Sequence, residues 1–182
     1  MNLTGATGDE LIQKVAQWKS KVGLGSEAEP STDRSLLKGA VAGLIGGLVA
    51  TAAKSLAEKV YPPRTHGEPE PPEVLAEKIA GHSLAEAPKA VAAETIHWGF
   101  GALTGAAYGA LAEFYPAATS KEGASFGLTL ASLTHGSALP AMGLSAEPQQ
   151  QTTREHTSEL ATHIVYGVVT EIVRSIVRKF LK

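Results

Sequence analysis

The stretch GASFGLTLASLTHGSALPAMGLSA, Gly123 to Ala146, contains no Asp, Glu, Lys or Arg. A run of that length can cross a bilayer, which needs about 20 residues. Between Ala124 and Leu144 the polar side chains are only Ser, Thr and His135. No polar face recurs at helical spacing, as it does on the helices of a soluble bundle. Similar stretches lie on either side. Thr95–Ala112 runs uncharged between Glu94 and Glu113, and Gly39–Ala53 between Lys38 and Lys54. The latter is short, but long charged side chains at its ends can snorkel. Leu160–Leu181 is apolar and carries His163, Glu171, Arg174, Arg178 and Lys179. The four stretches predict an all-α, polytopic membrane protein with about four transmembrane helices, whose first partner is the lipid bilayer. A soluble four-helix bundle is the competing reading.

Composition narrows the function. The chain has 182 residues and a net charge of −2, so nothing points to nucleic acid as a partner. It has no cysteine, which excludes disulfides, thiolate metal sites, iron–sulfur clusters and cysteine nucleophiles. No GxSxG elbow, Walker loop or dinucleotide glycine loop occurs, so the sequence leans away from an enzyme.

Two regions are expected. Residues 1–34 read as a cytoplasmic amphipathic helix and linker. Thr7 and Glu10 fit a capping box, and Leu11, Val15, Trp18 and Val22 form one stripe. Residues 35–182 read as the four-helix transmembrane domain, with a Pro-rich outer loop at 62–93. Within that loop PPRTHGEPEPP, residues 62–72, is expected to be extended, and Pro88 is expected to break the helical run of 73–93. Pro140 is expected to kink the third span. Basic residues flank the first span (Arg34, Lys38) and end the last (Arg178, Lys179, Lys182). Both termini are therefore placed in the cytoplasm.

Two glycine series stand out. Gly39, Gly43 and Gly47 recur every four residues on the first span, and Gly101, Gly105 and Gly109 on the second. In lipid, small residues at this spacing let helix backbones approach closely. The two spans are expected to pack on each other or to pair with another subunit.

Ionisable residues inside spans are costly and are functional candidates. His97, His135 and His163, one on each of spans two to four, are candidate metal ligands for zinc, copper or iron, or for a haem. Glu171, His163 and Glu159 form a candidate ion or proton path. Glu159 can orient His163 four residues on, Glu94 and His97 are similarly spaced, and Glu171 is expected to pair with Arg174. The competing reading is that each group hydrogen-bonds within the bundle.

Four stretches carry a family likeness: AGLIGGLVATAAKSLAEKVYPPR from Ala42, AYGALAEFYP from Ala107, THGSALPAMGLSAEP from Thr134 and SELATHIVYGVVTEIVRSIVRK from Ser158. In order and spacing the chain resembles the YagU-like inner-membrane proteins, an uncharacterised bacterial family, over roughly residues 36–180. The N-terminal residues and much of 62–93 fall outside the likeness. The resemblance implies a small polytopic protein of the bacterial inner membrane. It also implies that His97, Glu113, His135, Glu159, His163 and Glu171 occupy family polar positions, without assigning them roles.

The leading expectation is a non-catalytic membrane protein acting through helix packing, as a homo-oligomer or an accessory subunit of a larger membrane complex. The alternative is an ion-handling or metal- or haem-binding membrane protein using its intramembrane His and Glu.

Overall fold

The computed structural model describes residues 34–181, so the expected amphipathic helix at 7–22 lies outside the described residues. Five principal helices follow one another, and the described residues contain no strand. They are α1 (Leu36–Val60), α2 (Pro71–Ala80), α3 (Glu86–Phe114), α4 (Ala124–Leu133) and α5 (Thr153–Phe180). Local chemistry sets most of their ends. Ser35 caps α1 by accepting from the Lys38 amide at 3.3 Å, and Thr152 caps α5 by accepting from the Glu155 amide at 3.1 Å. Pro71 and Pro72 open α2, so the end of the Pro-rich segment starts a helix. Pro88 likewise lies in the first turn of α3 and does not break it, because first-turn amides lack intrahelical acceptors anyway.

Helix α1 packs against α3 and α5, and α4 packs against α5. Gly39 faces Glu113 and Gly109, whereas Gly47 faces Gly101 and Gly105, so α1 and α3 run antiparallel. A Cβ on Gly43 would lie 2.7 Å from Gly109 Cα, and one on Gly105 would lie 2.6 Å from Gly47 Cα. Real Cβ atoms do not approach so closely. A second face of α1 meets α5 in the same way, since a Cβ on Gly46 would lie 2.6 Å from Thr170 O. On α4 and α5, Gly127 lies against His163, and a Cβ on Gly167 would lie 2.6 Å from Gly127 N.

What is buried is small or polar. The largest fully buried side chains are Thr51, Thr162, Thr170 and Ser158. The buried hydrophobic residues are alanines, Tyr108, Tyr166 and Leu144. Leu36, Leu37, Val49, Val91, Phe100, Leu103, Leu111, Leu133, Ile172 and Ile176 are all exposed. A soluble bundle places Leu, Ile, Val and Phe inside. The reverse arrangement, with small residues inside and bulky apolar ones outside, suits helices surrounded by lipid.

Two described helices, α1 and α5, are long and apolar enough to cross a membrane. Helix α3 has 29 residues but lacks the same apolar content, diluted by its glycines, threonines and His97. The stretch Gly123–Ala146 is not one helix. Gly123 adopts φ +85° and packs on Gly167 and Glu171, near the middle of α5. From Gly167 to the end of α5 at Phe180 is roughly 20 Å at the helical rise. The segment Pro116–Gly123 runs in tight turns before α4 begins. Helix α4 then opens into a wide π-type turn, Thr134–Ala138, and ends in a last helical turn, Leu139–Ala141. Pro140 has no N–H to give the carbonyl four residues back, and its ring crowds that carbonyl, so the helix widens just before it.

Candidate metal centre

The ends of the bundle differ. Where α1 begins and α3 and α5 finish, the charges are closed into pairs. Arg174 donates two hydrogen bonds to Glu171, at 2.6 and 2.8 Å, and Tyr108 adds a third at 2.8 Å. Arg178 donates to Glu113 at 2.5 and 3.2 Å, and Glu113 also accepts from the Ser35 amide. Glu171 thus has the Arg174 partner expected from its spacing, two helical turns from His163.

At the opposite end lies a cavity of about 360 Å³. His97, His135 and His163 all line it, from α3, the wide turn and α5. His135, Glu159 and His163 form a closer group, each offering a ligand atom within 4.8 Å of the others. His135 Nε2 lies 3.2 Å from Glu159 Oε2, and His163 Nδ1 lies 3.7 Å from it. The two imidazoles stand edge to face with centroids 5.1 Å apart. His97 is not in this group, and its Nε2 faces Ser55 Oγ at 3.3 Å. Nor does it pair with Glu94, which instead accepts from Trp98 Nε1 at 2.9 Å.

Each side chain is positioned by its local backbone. The turn Thr134–Ala138 carries His135 towards α5, and such wide turns recur at functional sites. His163 Nδ1 is 2.8 Å from the Glu159 carbonyl. A carbonyl only accepts, so Nδ1 carries the proton and Nε2 keeps its lone pair. That is the arrangement in which an outer hydrogen bond fixes an imidazole for a metal. Glu159 uses its two oxygens differently, Oε2 facing the histidines and Oε1 lying 3.2 Å from Arg64 Nη2.

Arg64 comes from the segment after α1, which is fastened to α5. Ser158 Oγ donates to the Tyr61 carbonyl, the Tyr61 and Thr157 hydroxyls are 2.8 Å apart, and Arg154 Nε donates to the Pro62 carbonyl at 3.0 Å. The Arg154 guanidinium also lies over the Tyr61 ring, 4.7 Å from its centre. The spacing of ionisable residues along the helices gives no sign of Arg64, because it lies in a loop. The signal available was a lone arginine following Pro62 and Pro63.

Polar atoms here remain short of partners. Arg64 Nη2, His135 Nδ1 and both carboxylate oxygens of Glu159 are buried without a well-aligned hydrogen bond. The Glu159 carboxylate is compensated there chiefly by the Arg64 guanidinium 3.2 Å away. The surroundings are acidic. Around the cavity Lys54 and Arg64 stand against Glu58, Glu70 and Glu159, two basic groups against three acidic ones. Burial, with the Glu58 charge adding to it, pushes Glu70 above the usual carboxylate range.

Two imidazoles and one carboxylate suit zinc, iron or manganese. At ligand bonds of about 2.1 Å, tetrahedral donors sit roughly 3.4 Å apart. The three side chains would need to close by about 1 Å or so, within the reach of small χ adjustments. Because His97 stands apart, a metal held by His135, Glu159 and His163 would not need it, and His97→Ala would then leave the metal content of the purified protein unchanged. Elemental analysis of the variant checks this, and a fall in metal per chain would bring His97 into the ligand set.

No curated protein and no solved structure matches the chain at a significant level. A family model does match, over residues 48–172, which takes in α2, α3, α4 and all of His97, His135, Glu159, His163 and Glu171. The match spans more than half of the chain, which therefore belongs to the family described as protein of unknown function DUF1440.

Proposed function

We propose that this chain is an integral membrane protein that holds one divalent transition-metal ion at His135, Glu159 and His163. The single observation behind the metal is that group of buried donors, with a carboxylate that no hydrogen bond satisfies. Membrane residence draws support from the exposed bulky apolar residues and from the two long apolar helices. The chain passes the bilayer four times, the third time through Pro116–Gly123 and α4 together. The basic ends put both termini in the cytoplasm, and the likeness to YagU-like proteins favours a bacterial inner membrane. The metal cavity then opens towards the outer side.

Action through helix packing with another subunit is the weaker reading. Gly39, Gly43 and Gly47 already face Gly101, Gly105 and Gly109 within the chain. Those faces offer no free surface to a partner.

The test is elemental analysis of protein purified in detergent from washed membranes. About one zinc, iron or manganese per chain is expected, and it should disappear in His135→Ala/His163→Ala. Protein found in the soluble fraction would refute the membrane half of the proposal. Membrane protein with no metal above background, before and after incubation with each ion, would refute the metal half.

A further inference from the structure

Arg64 Nη2 lies between two carboxylates one helical turn apart, 3.2 Å from Glu159 Oε1 and 3.5 Å from Glu155 Oε1. It is buried and makes a well-aligned hydrogen bond to neither. The chain just before it is fastened to α5, Tyr61 to Ser158 and Thr157 and Pro62 to Arg154. The two carboxylates flanking the guanidinium, Glu155 and Glu159, lie on the same side of α5, four residues apart.

From this geometry we infer that Arg64 is a resident cation that an arriving metal ion must displace, and that Glu155 is the seat it is displaced to. The inference rests on the metal reading above and names what sets the affinity of that site. Without metal, Arg64 partly neutralises Glu159. A divalent ion on Glu159 Oε2 repels the guanidinium, which then pairs fully with Glu155. Glu155 thus governs metal binding without touching the metal. A singly charged cation, whose attraction to Glu159 only equals that of the arginine, gains too little to displace it. The arrangement therefore selects divalent over monovalent ions.

The signs follow. Arg64→Gln removes the competitor and should tighten zinc binding about tenfold. Glu155→Gln removes the alternative seat and should weaken it about tenfold, at the lower end of outer-shell effects on metal affinity. In the double variant the loss of Glu155 should matter little, within about twofold of Arg64→Gln alone. A double-mutant cycle isolates such a coupling. If Glu155 acted only as a distant negative charge, its loss would cost the same in both backgrounds.

The experiment is competition titration of zinc against a chromogenic chelator, with detergent-solubilised full-length protein and all four members of the cycle. Circular dichroism confirms that each folds, as expected when the Tyr61–Pro62 fastenings remain. The background-dependent effect of Glu155→Gln supports the inference. Equal effects in the two backgrounds, or weaker zinc binding in Arg64→Gln, would overturn it while leaving the metal site standing. Zinc binding absent from the parent protein would overturn both.

Discussion

Replacing Gly43 by leucine is expected to prevent the bundle from assembling. A Cβ at this position already meets Gly109 N at 2.8 Å and Gly109 Cα at 2.7 Å, and these are backbone atoms. Backbone in a helix cannot step aside as a flexible side chain can. The two helices would have to separate, and every other glycine contact between α1 and α3 would open with them. In lipid, close van der Waals packing is the main force holding helices together. Alanine at the same site should cost about 2–3 kcal/mol, the upper part of the usual range for overpacking. Gly99 supplies the control on the neighbouring helix. Nothing lies within 4 Å of a Cβ built there, so Gly99→Ala should be neutral or stabilising by up to about 1 kcal/mol through helix propensity. Thermal unfolding of the three variants in one detergent checks the order. A Gly43→Ala protein as stable as Gly99→Ala would contradict the packing described for α1 and α3.

Glu159→Gln is expected to have the opposite signature, abolishing metal binding while preserving or improving the fold. Glutamine keeps the shape of the side chain but removes the anionic oxygen that faces both histidines. Metal affinity should fall by roughly 100-fold or more, beyond what outer-shell changes produce. The metal-free protein should not suffer. Neither carboxylate oxygen has a hydrogen bond to lose, and a neutral amide is cheaper to bury than a charge. Arg64 keeps Glu155 as a partner. Zinc titration together with thermal unfolding of apo-protein separates the two effects. Should Glu159→Gln bind zinc like the parent, the carboxylate is not a ligand. Should it unfold, the carboxylate is structural.

Much of this arrangement is legible in the sequence, for identifiable reasons. Glycine every four residues marks the sides of α1 and α3 that approach, because three glycines recur at that one spacing on each. Gly46, Gly123, Gly127 and Gly167 bring other backbones equally close, but only Gly123 and Gly127 are four apart, and no third glycine extends that pair into a series. Their role needs the tertiary arrangement. The polar residues within the apolar stretches identify His135, Glu159 and His163, and α5 places two of them one turn apart. That His135 joins them and His97 does not depends on the widened turn before Pro140 and on the height at which α4 begins. A proline signals a disturbance in the helix but not the direction in which it turns a side chain. The unbroken apolar run 123–146 suggested one continuous span. Its charge-free composition is equally that of a shorter helix starting halfway along α5, since length alone does not fix where a helix begins. Arg64 needed contacts across some ninety residues of chain, between Pro62 and Arg154, which no local pattern carries.

The proposed metal centre is tested most directly by X-ray absorption at the metal edge of protein loaded with one equivalent of zinc. A first shell of nitrogen and oxygen at about 2.0–2.1 Å, with the outer-shell scattering of two imidazoles, is the expected result. Loss of one imidazole in each of His135→Ala and His163→Ala, but not in His97→Ala, would assign the ligands. A shell of oxygens alone, or a spectrum unchanged by His135→Ala and His163→Ala, would contradict the assignment of these residues as a metal site.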